Sequence, residues 1–234
     1  MNVENYLHLI GSFVDKGYKL KFFSDEINPK KNLLLRHDID FDVLLSLKLA
    51  EYEYKNSIKS TYFFMLRSDS YNIFTPQNID AIGNIIELGH KISLHFDPLI
   101  YKDYSSGLQH EIELFDVLFG VQPEIISIHR PNDDFLSGMN IGIPHTYEKR
   151  FFKDIHYISD SGGEFKYGHP LESDAFINCD TVHLLLHPIW WIVNGEENIS
   201  KLKTHYKYRC DLMSDHFSQN CIPWRKFVDG ENEI

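Results

Sequence analysis

Short apolar runs that stop abruptly in charged or histidine residues recur along this chain, and that repetition limits the fold more than any single motif. The first is Leu33-Leu34-Leu35-Arg36-His37-Asp38-Ile39-Asp40. Ser60 to Leu66 runs into Arg67, and Ile92 to Leu94 runs into His95 and Asp97. Ile125 to Ile128 ends at His129-Arg130-Pro131, and Val182 to Leu186 ends at His187-Pro188. A short apolar run without helical period reads as a buried strand. Between these runs lie helical stripes. Tyr6, Ile10, Phe13 and Val14 form the first, and Val43, Leu47, Ala50 and Tyr54 the second, with Asp42 near its start where the helix dipole favours an anion. Ile79, Ile82 and Ile86 follow, opened by Thr75-Pro76 and stopped by Gly89; Leu108, Ile112, Phe115 and Phe119 are stopped by Gly120. Strand and helix in alternation predict an α/β fold on a parallel sheet. Such folds carry their sites at the C-terminal ends of strands. Asp38, Asp40, Arg67, His95, Asp97, His129, Asp160 and His187 are therefore expected at one mouth.

Side chains alternate along a strand, so Asp38 and Asp40 share a face and His37 takes the other. Two neighbouring carboxylates repel, and a proton, a cation or a basic side chain relieves them. A helix cap, or an ion pair with Arg36, would be the structural use of the pair. The rest of the chain is less regular. Tyr18 to Phe23 alternates weakly as a short strand, and Ile155 to Ser159 reads as a strand ending in Asp160. Residues 132 to 154 and 164 to 180 read as loops, and residues 199 to 217 as a weak helix. No linker or repeat interrupts residues 1–234, which read as one domain.

A net charge of −11 argues against a protein that binds a nucleic-acid backbone. Three cysteines without Cys-x-x-Cys spacing point to free thiols in a reducing cytosol. The N-terminus lacks the basic start and apolar core of a signal peptide, and no stretch is long enough for a membrane span. A cytoplasmic protein is expected. Thirteen histidines, several at the ends of apolar runs, are the composition figure that bears on chemistry.

Histidines and carboxylates on separate strand ends suit a borderline divalent cation such as zinc. With such a cation to polarise a carbonyl, a second carboxylate to take a proton from water and a histidine to protonate the leaving group, the constellation describes an amide or ester hydrolase.

The same residues resemble the polysaccharide deacetylases, carbohydrate esterase family 4 with its NodB-homology domain. Arg36-His37-Asp38-Ile39-Asp40 stands where that family has Thr-Phe-Asp-Asp-Gly. Gly89-His90-Lys91-Ile92-Ser93-Leu94-His95 matches its Gly-His-Glu-Ile-Gly-Asn-His. Ile128-His129-Arg130-Pro131 occupies its Arg-x-Pro turn, Tyr157 to Asp160 its Asp after a strand, and Leu184 to Pro188 its strand ending in His. The likeness runs from residue 33 to residue 188. It implies a distorted (β/α) barrel of parallel strands and removal of an acetyl or formyl group from an amino sugar. It implies Asp38 as general base, His187 as catalytic acid, and Asp40 and His95 as ligands of a divalent metal, zinc first. Arg130 and Asp160 fall with the substrate-binding residues, Asp160 with the further option of orienting His187.

Two departures stand out. The family's second metal histidine follows four residues after the first, and here that position is Leu99. His129 and Asp97 are the candidates to replace it, His129 preferred and Asp97 read as a cap before Pro98. The inserted Ile39 leaves the roles of Asp38 and Asp40 open to exchange. Together the changes resemble a subgroup of surface-polysaccharide biosynthesis, with a carbohydrate or activated sugar as substrate. Two rivals stand beside this reading: an inactive relative that binds a sugar or nucleotide sugar, and a hydrolase of small amides. Trp190 and Trp191 read as core packing before sugar platform, and Arg67 and Arg130 as surface ion pairs before phosphate ligands.

Overall fold

The structure is a computed structural model that describes residues 1–230. The chain divides into two compact units, Met1–Ile192 and the residues from Val193 onward. The first holds seven parallel strands: β1 (Lys19–Lys21), β2 (Asn32–Ile39), β3 (Thr61–Phe64), β4 (Lys91–Phe96), β5 (Ser127–Ile128), β6 (His156–Ser159) and β7 (Val182–Leu186). Their order is β5-β4-β3-β2-β7-β6, with β1 beside the N-terminal half of β2. Among the described residues no ladder joins the edge strands β5 and β6, so the sheet is a half-barrel and not a closed one.

Four longer helices link the strands: α1 (Val3–Asp15), α2 (Val43–Lys55), α3 (Pro76–Glu87) and α4 (Tyr104–Phe119). Their ends are those expected from the sequence. Asp42 accepts from the Leu44 N–H, and Thr75 caps α3 with Pro76 in the first turn. Gly120 ends α4 at φ 63°, a left-handed conformation that costs glycine nothing. The stretches read as loops contain short helices, α5 (Asp133–Leu136), α6 (Lys149–Phe152) and α7 (Asp174–Ile177), each too short to show a period. One further turn, α8 (Pro188–Ile192), follows β7 directly. The second unit holds α9 (Asn198–Asn220) and α10 (Ile222–Val228), which pack on each other.

The two faces of the sheet carry different side chains. On the convex face, Tyr62, Phe64, Leu94 and Phe96 pack in one apolar cluster with Ile82 and Ile85 of α3 and Leu108 and Phe115 of α4. On the concave face, Leu34 and Phe63 pack with Phe23, Ile125 and Phe151. Register carries the alternation across the sheet: Asp38 lies level with Phe63, Phe63 with Ser93, and His95 with Ser127.

The convex face also holds a buried carboxylate that the sequence pattern did not signal. Glu53 of α2 is fully buried, whereas Tyr54, assigned to the inner stripe, is 59% exposed. The helix is turned so that Val43, Ser46, Leu49, Ala50 and Glu53 face inward. Glu53 accepts hydrogen bonds from Tyr62 and Ser60, each at 2.6 Å, and from Tyr6. His37 Nε2 lies 3.0 Å from its Oε1, and His37 Nδ1 lies 3.1 Å from the Leu186 carbonyl. Burial works to raise the Glu53 pKa, but His37 and the hydrogen bonds override it and bring it to about 2. The carboxylate ties α1, α2, β2 and β3 together, and His37 has the structural place expected of it.

Candidate active site

Every strand end that the sequence marked as polar opens at the same rim. Asp38 ends β2 on its concave face and Asp40 follows it. His95 stands near the end of β4, His129 just past β5, Asp160 just past β6 and His187 just past β7. In a flat sheet β4 and β7 would stand three strand spacings apart, about 14 Å. The curvature brings their histidines to opposite sides of the same carboxylates: His95 Nδ1 lies 3.7 Å from Asp38 Oδ2, and His187 Nε2 lies 3.7 Å from Asp40 Oδ2.

Three groups form the centre. His95 Nε2 lies 3.2 Å from Asp40 Oδ1 and 3.1 Å from His129 Nδ1. Asp40, His95 and His129 each offer a ligand atom, and the three atoms lie within 4.8 Å of one another. His95 Nδ1 lies 2.6 Å from Ser127 Oγ, an outer partner that leaves Nε2 facing the centre. Asp40 Oδ1 is buried and receives no well-aligned hydrogen bond. Burial works to raise the Asp40 pKa, but His95 and His187 beside it hold the carboxyl below its usual range. Burial, with His95 adjacent, lowers the His129 pKa and favours the neutral ring that ligates. Two imidazole nitrogens and an orphaned carboxylate oxygen fit a borderline divalent cation.

Asp38 is in a different condition. Arg36, two residues earlier on the same face, grips it with Nε on Oδ1 at 2.8 Å and Nη2 on Oδ2 at 2.6 Å. Both side chains are buried. Burial pushes the Asp38 pKa up, but Arg36 and then His95 hold it far below the ordinary carboxylate range. The ion pair with Arg36, the structural use of the carboxylate, is therefore present, and it sits inside the rim.

Asp160 is 0% exposed and faces His187. Its Oδ1 lies 2.6 Å from His187 Nδ1, and its two oxygens accept the His187 backbone N–H at 3.0 and 3.1 Å. Burial alone would lower the His187 pKa, but Asp160, with Asp40 and Asp38 beyond it, lifts it to about 9.

The remaining candidates lie at the margin. Asp97 accepts the Leu99 N–H at 3.0 Å, the expected cap, and pairs with Arg130, whose φ is 51°. Asp97 is thereby occupied, and His129 is the group beside Asp40 and His95. Leu99 is 61% exposed on the turn after β4. Exposed Arg67 lies over the Tyr101 ring at 5.0 Å. Trp190 and Trp191 are buried, as packing requires, and Trp191 Nε1 donates to Asp160 Oδ2 at 2.8 Å. That bond was not anticipated. Its one available signal was the spacing of four residues between His187 and Trp191, a single helical turn.

No family model matches this chain, and no curated protein matches it. Solved structures similar to it include a family 4 carbohydrate esterase from Bacillus anthracis, 16% identical over 87% of this chain and 86% of that one, at a TM-score of 0.46. A chitin deacetylase from the fungal pathogen Colletotrichum lindemuthianum is 16% identical over 75% of this chain and 81% of that one, at a TM-score of 0.44. A CE4 family pseudoenzyme, also from Bacillus anthracis, is 12% identical over 79% of this chain, at a TM-score of 0.46, and this chain spans 63% of its length.

Proposed function

We propose that this chain is a divergent relative of carbohydrate esterase family 4 that hydrolyses an N-acyl group, acetyl or formyl, from an amino sugar of a surface-glycan precursor. The observation that carries the proposal is the cluster of Asp40, His95 and His129 at one rim, with Asp38 on one side and the Asp160-held His187 on the other. Asp40, His95 and His129 would hold a divalent metal, zinc first, with His129 taking the place that Leu99 leaves empty of a ligand. A divalent cation there supplies Lewis acidity, polarising the acyl carbonyl and acidifying a water.

The chain's own residues supply the proton traffic. Asp38 stays ionised at every working pH because Arg36 holds it so, and it accepts a proton from the attacking water. His187, lifted to about 9, carries a proton at neutral pH. Its Nδ1 side is held by Asp160, so Nε2 gives its proton to the departing amine. The C–N bond breaks, the carboxylic acid leaves with the water oxygen, the amine leaves carrying the proton from His187, and Asp38 returns its proton to solvent as His187 takes one up. A cytoplasmic location belongs to this reading, supported by three free thiols.

The test is metal content of the purified protein by mass spectrometry, followed by turnover of N-acetyl and N-formyl amino sugars, free and nucleotide-linked. About one equivalent of metal, lost in His95→Ala, and turnover lost in Asp38→Asn are expected. Sugar binding that survives chelation, without turnover, would replace the proposal with a binding protein. Turnover of small amides but of no sugar would replace the substrate class.

A further inference from the structure

On the reading just proposed, His187 delivers the proton that releases the amine, and its ring is only as fixed as the carboxylate behind it. Asp160 uses Oδ1 for His187 Nδ1 at 2.6 Å. Its Oδ2 accepts the Trp191 indole N–H at 2.8 Å. Trp191 is itself fastened: its ring meets Tyr6 edge-on at 5.6 Å, and the Tyr6 hydroxyl donates to the buried Glu53. With Trp191 3% exposed, its ring has almost no face to offer a sugar.

We infer that Trp191 is a positioning residue for His187, acting through Asp160. The torsion that turns a carboxylate about its own axis is broad and twofold, and the His187 backbone N–H, shared between both oxygens at 3.0 and 3.1 Å, does not distinguish one oxygen from the other. An indole N–H is a donor only, and on Oδ2 it pins that rotation. Oδ1 is then held in line with His187 Nδ1, and Nε2 is held toward Asp40. Both ends of the arrangement ride on one turn: His187 ends the strand side and Trp191 lies within α8. Any motion of that turn moves acid and anchor together, and the contact with Tyr6 ties it to α1.

The test uses Trp191→Phe, which keeps an aromatic ring against Tyr6 and removes the donor. In proton NMR the wild type is expected to show a low-field, slowly exchanging His187 Nδ1–H signal, absent in His187→Ala and broadened away in Trp191→Phe. A signal unchanged in Trp191→Phe overturns the inference, whatever the protein does to sugars. In the deacylase assay kcat is expected to fall about tenfold with KM and metal content unchanged, the scale on which loss of a supporting hydrogen bond acts. An unchanged kcat, or a rise in KM alone, also overturns it. Should Trp191→Phe not fold, exchange of the indole N–H groups is followed in the wild type, assigned with Trp190→Phe and Trp224→Phe. A protected Trp191 N–H that shifts in Asp160→Asn supports the inference, and one that exchanges freely or stays unmoved overturns it. A wild type that turns over no substrate would sink the function proposal alone, since the resonance arm reads Trp191 without it.

Discussion

Strand β2 separates two buried polar clusters built from similar residues and finished in opposite ways. On the convex side, Glu53 is met by Tyr6, Tyr62, Ser60 and His37, and both its oxygens are used. On the concave side, Asp40 Oδ1 and Arg36 Nη1 are buried without a hydrogen-bond partner. A buried carboxylate surrounded by donors has no valence left for a ligand and contributes to stability. A buried carboxylate oxygen left open, next to two imidazoles, is costly to the fold, and a cation or substrate that completes it offsets that cost. Adjacent residues of one strand, His37 and Asp38, thus serve different ends because the pleat sends them to different faces.

The largest effect expected from breaking this contrast is on the open side. His95→Ala should abolish metal uptake measured by calorimetry in the folded variant, since it removes one of the three groups of the open cluster. A protein that still binds one equivalent with unchanged affinity would place the metal outside the cluster of Asp40, His95 and His129. Next comes Glu53→Gln, which removes the charge that faces His37. The expected loss is roughly 3 kcal/mol of stability in urea denaturation, with metal uptake retained below the melting transition. Metal uptake lost in the folded variant would show that the two clusters are one.

The closed cluster also has a pH signature of comparable size. Glu53 sits at about 2 in the folded protein against 4.5 ordinarily. Its folded-state pKa is depressed, so its contribution is fully present above about 4.5 and disappears as pH falls toward 2. The drop is on the order of 3 kcal/mol. Denaturation midpoints followed from pH 6 to pH 2 should fall less steeply in Glu53→Gln than in the wild type, and parallel curves would remove Glu53 from the account. The smallest effect belongs to Leu99→Ala. An exposed side chain on a turn should cost under about 0.5 kcal/mol, and metal affinity should not move. A marked loss of metal affinity would give Leu99 a part in the site that its chemistry does not suggest.

Much of this was legible from residues 33 to 40 and their counterparts. The alternation of apolar runs and stripes predicted the parallel sheet, and the polar strand ends predicted the rim where Asp40, His95, His129 and His187 meet. The caps at Asp42, Thr75 and Gly120 were readable because they depend on residues within one turn. Glu53 was not readable. A glutamate on a helix ordinarily faces water, and only donors from α1, β2 and β3 make its burial tolerable. The short helices between residues 132 and 177 were missed because four residues cannot display a 3.6-residue period.

The sequence by itself determined which face each residue of a strand takes, because the two-residue alternation is a property of the local backbone. That placed Arg36, Asp38 and Asp40 together and His37 apart from them. Only the tertiary structure decided who meets whom from different strands. It put His129 beside Asp40 and His95 while Asp97 was taken by Arg130 and the Leu99 N–H. It also brought Trp191 to Asp160 and the Tyr6 hydroxyl to Glu53. Those meetings depend on the curvature of the sheet and on where helices pack, which many distant contacts set together and no short stretch of chain encodes.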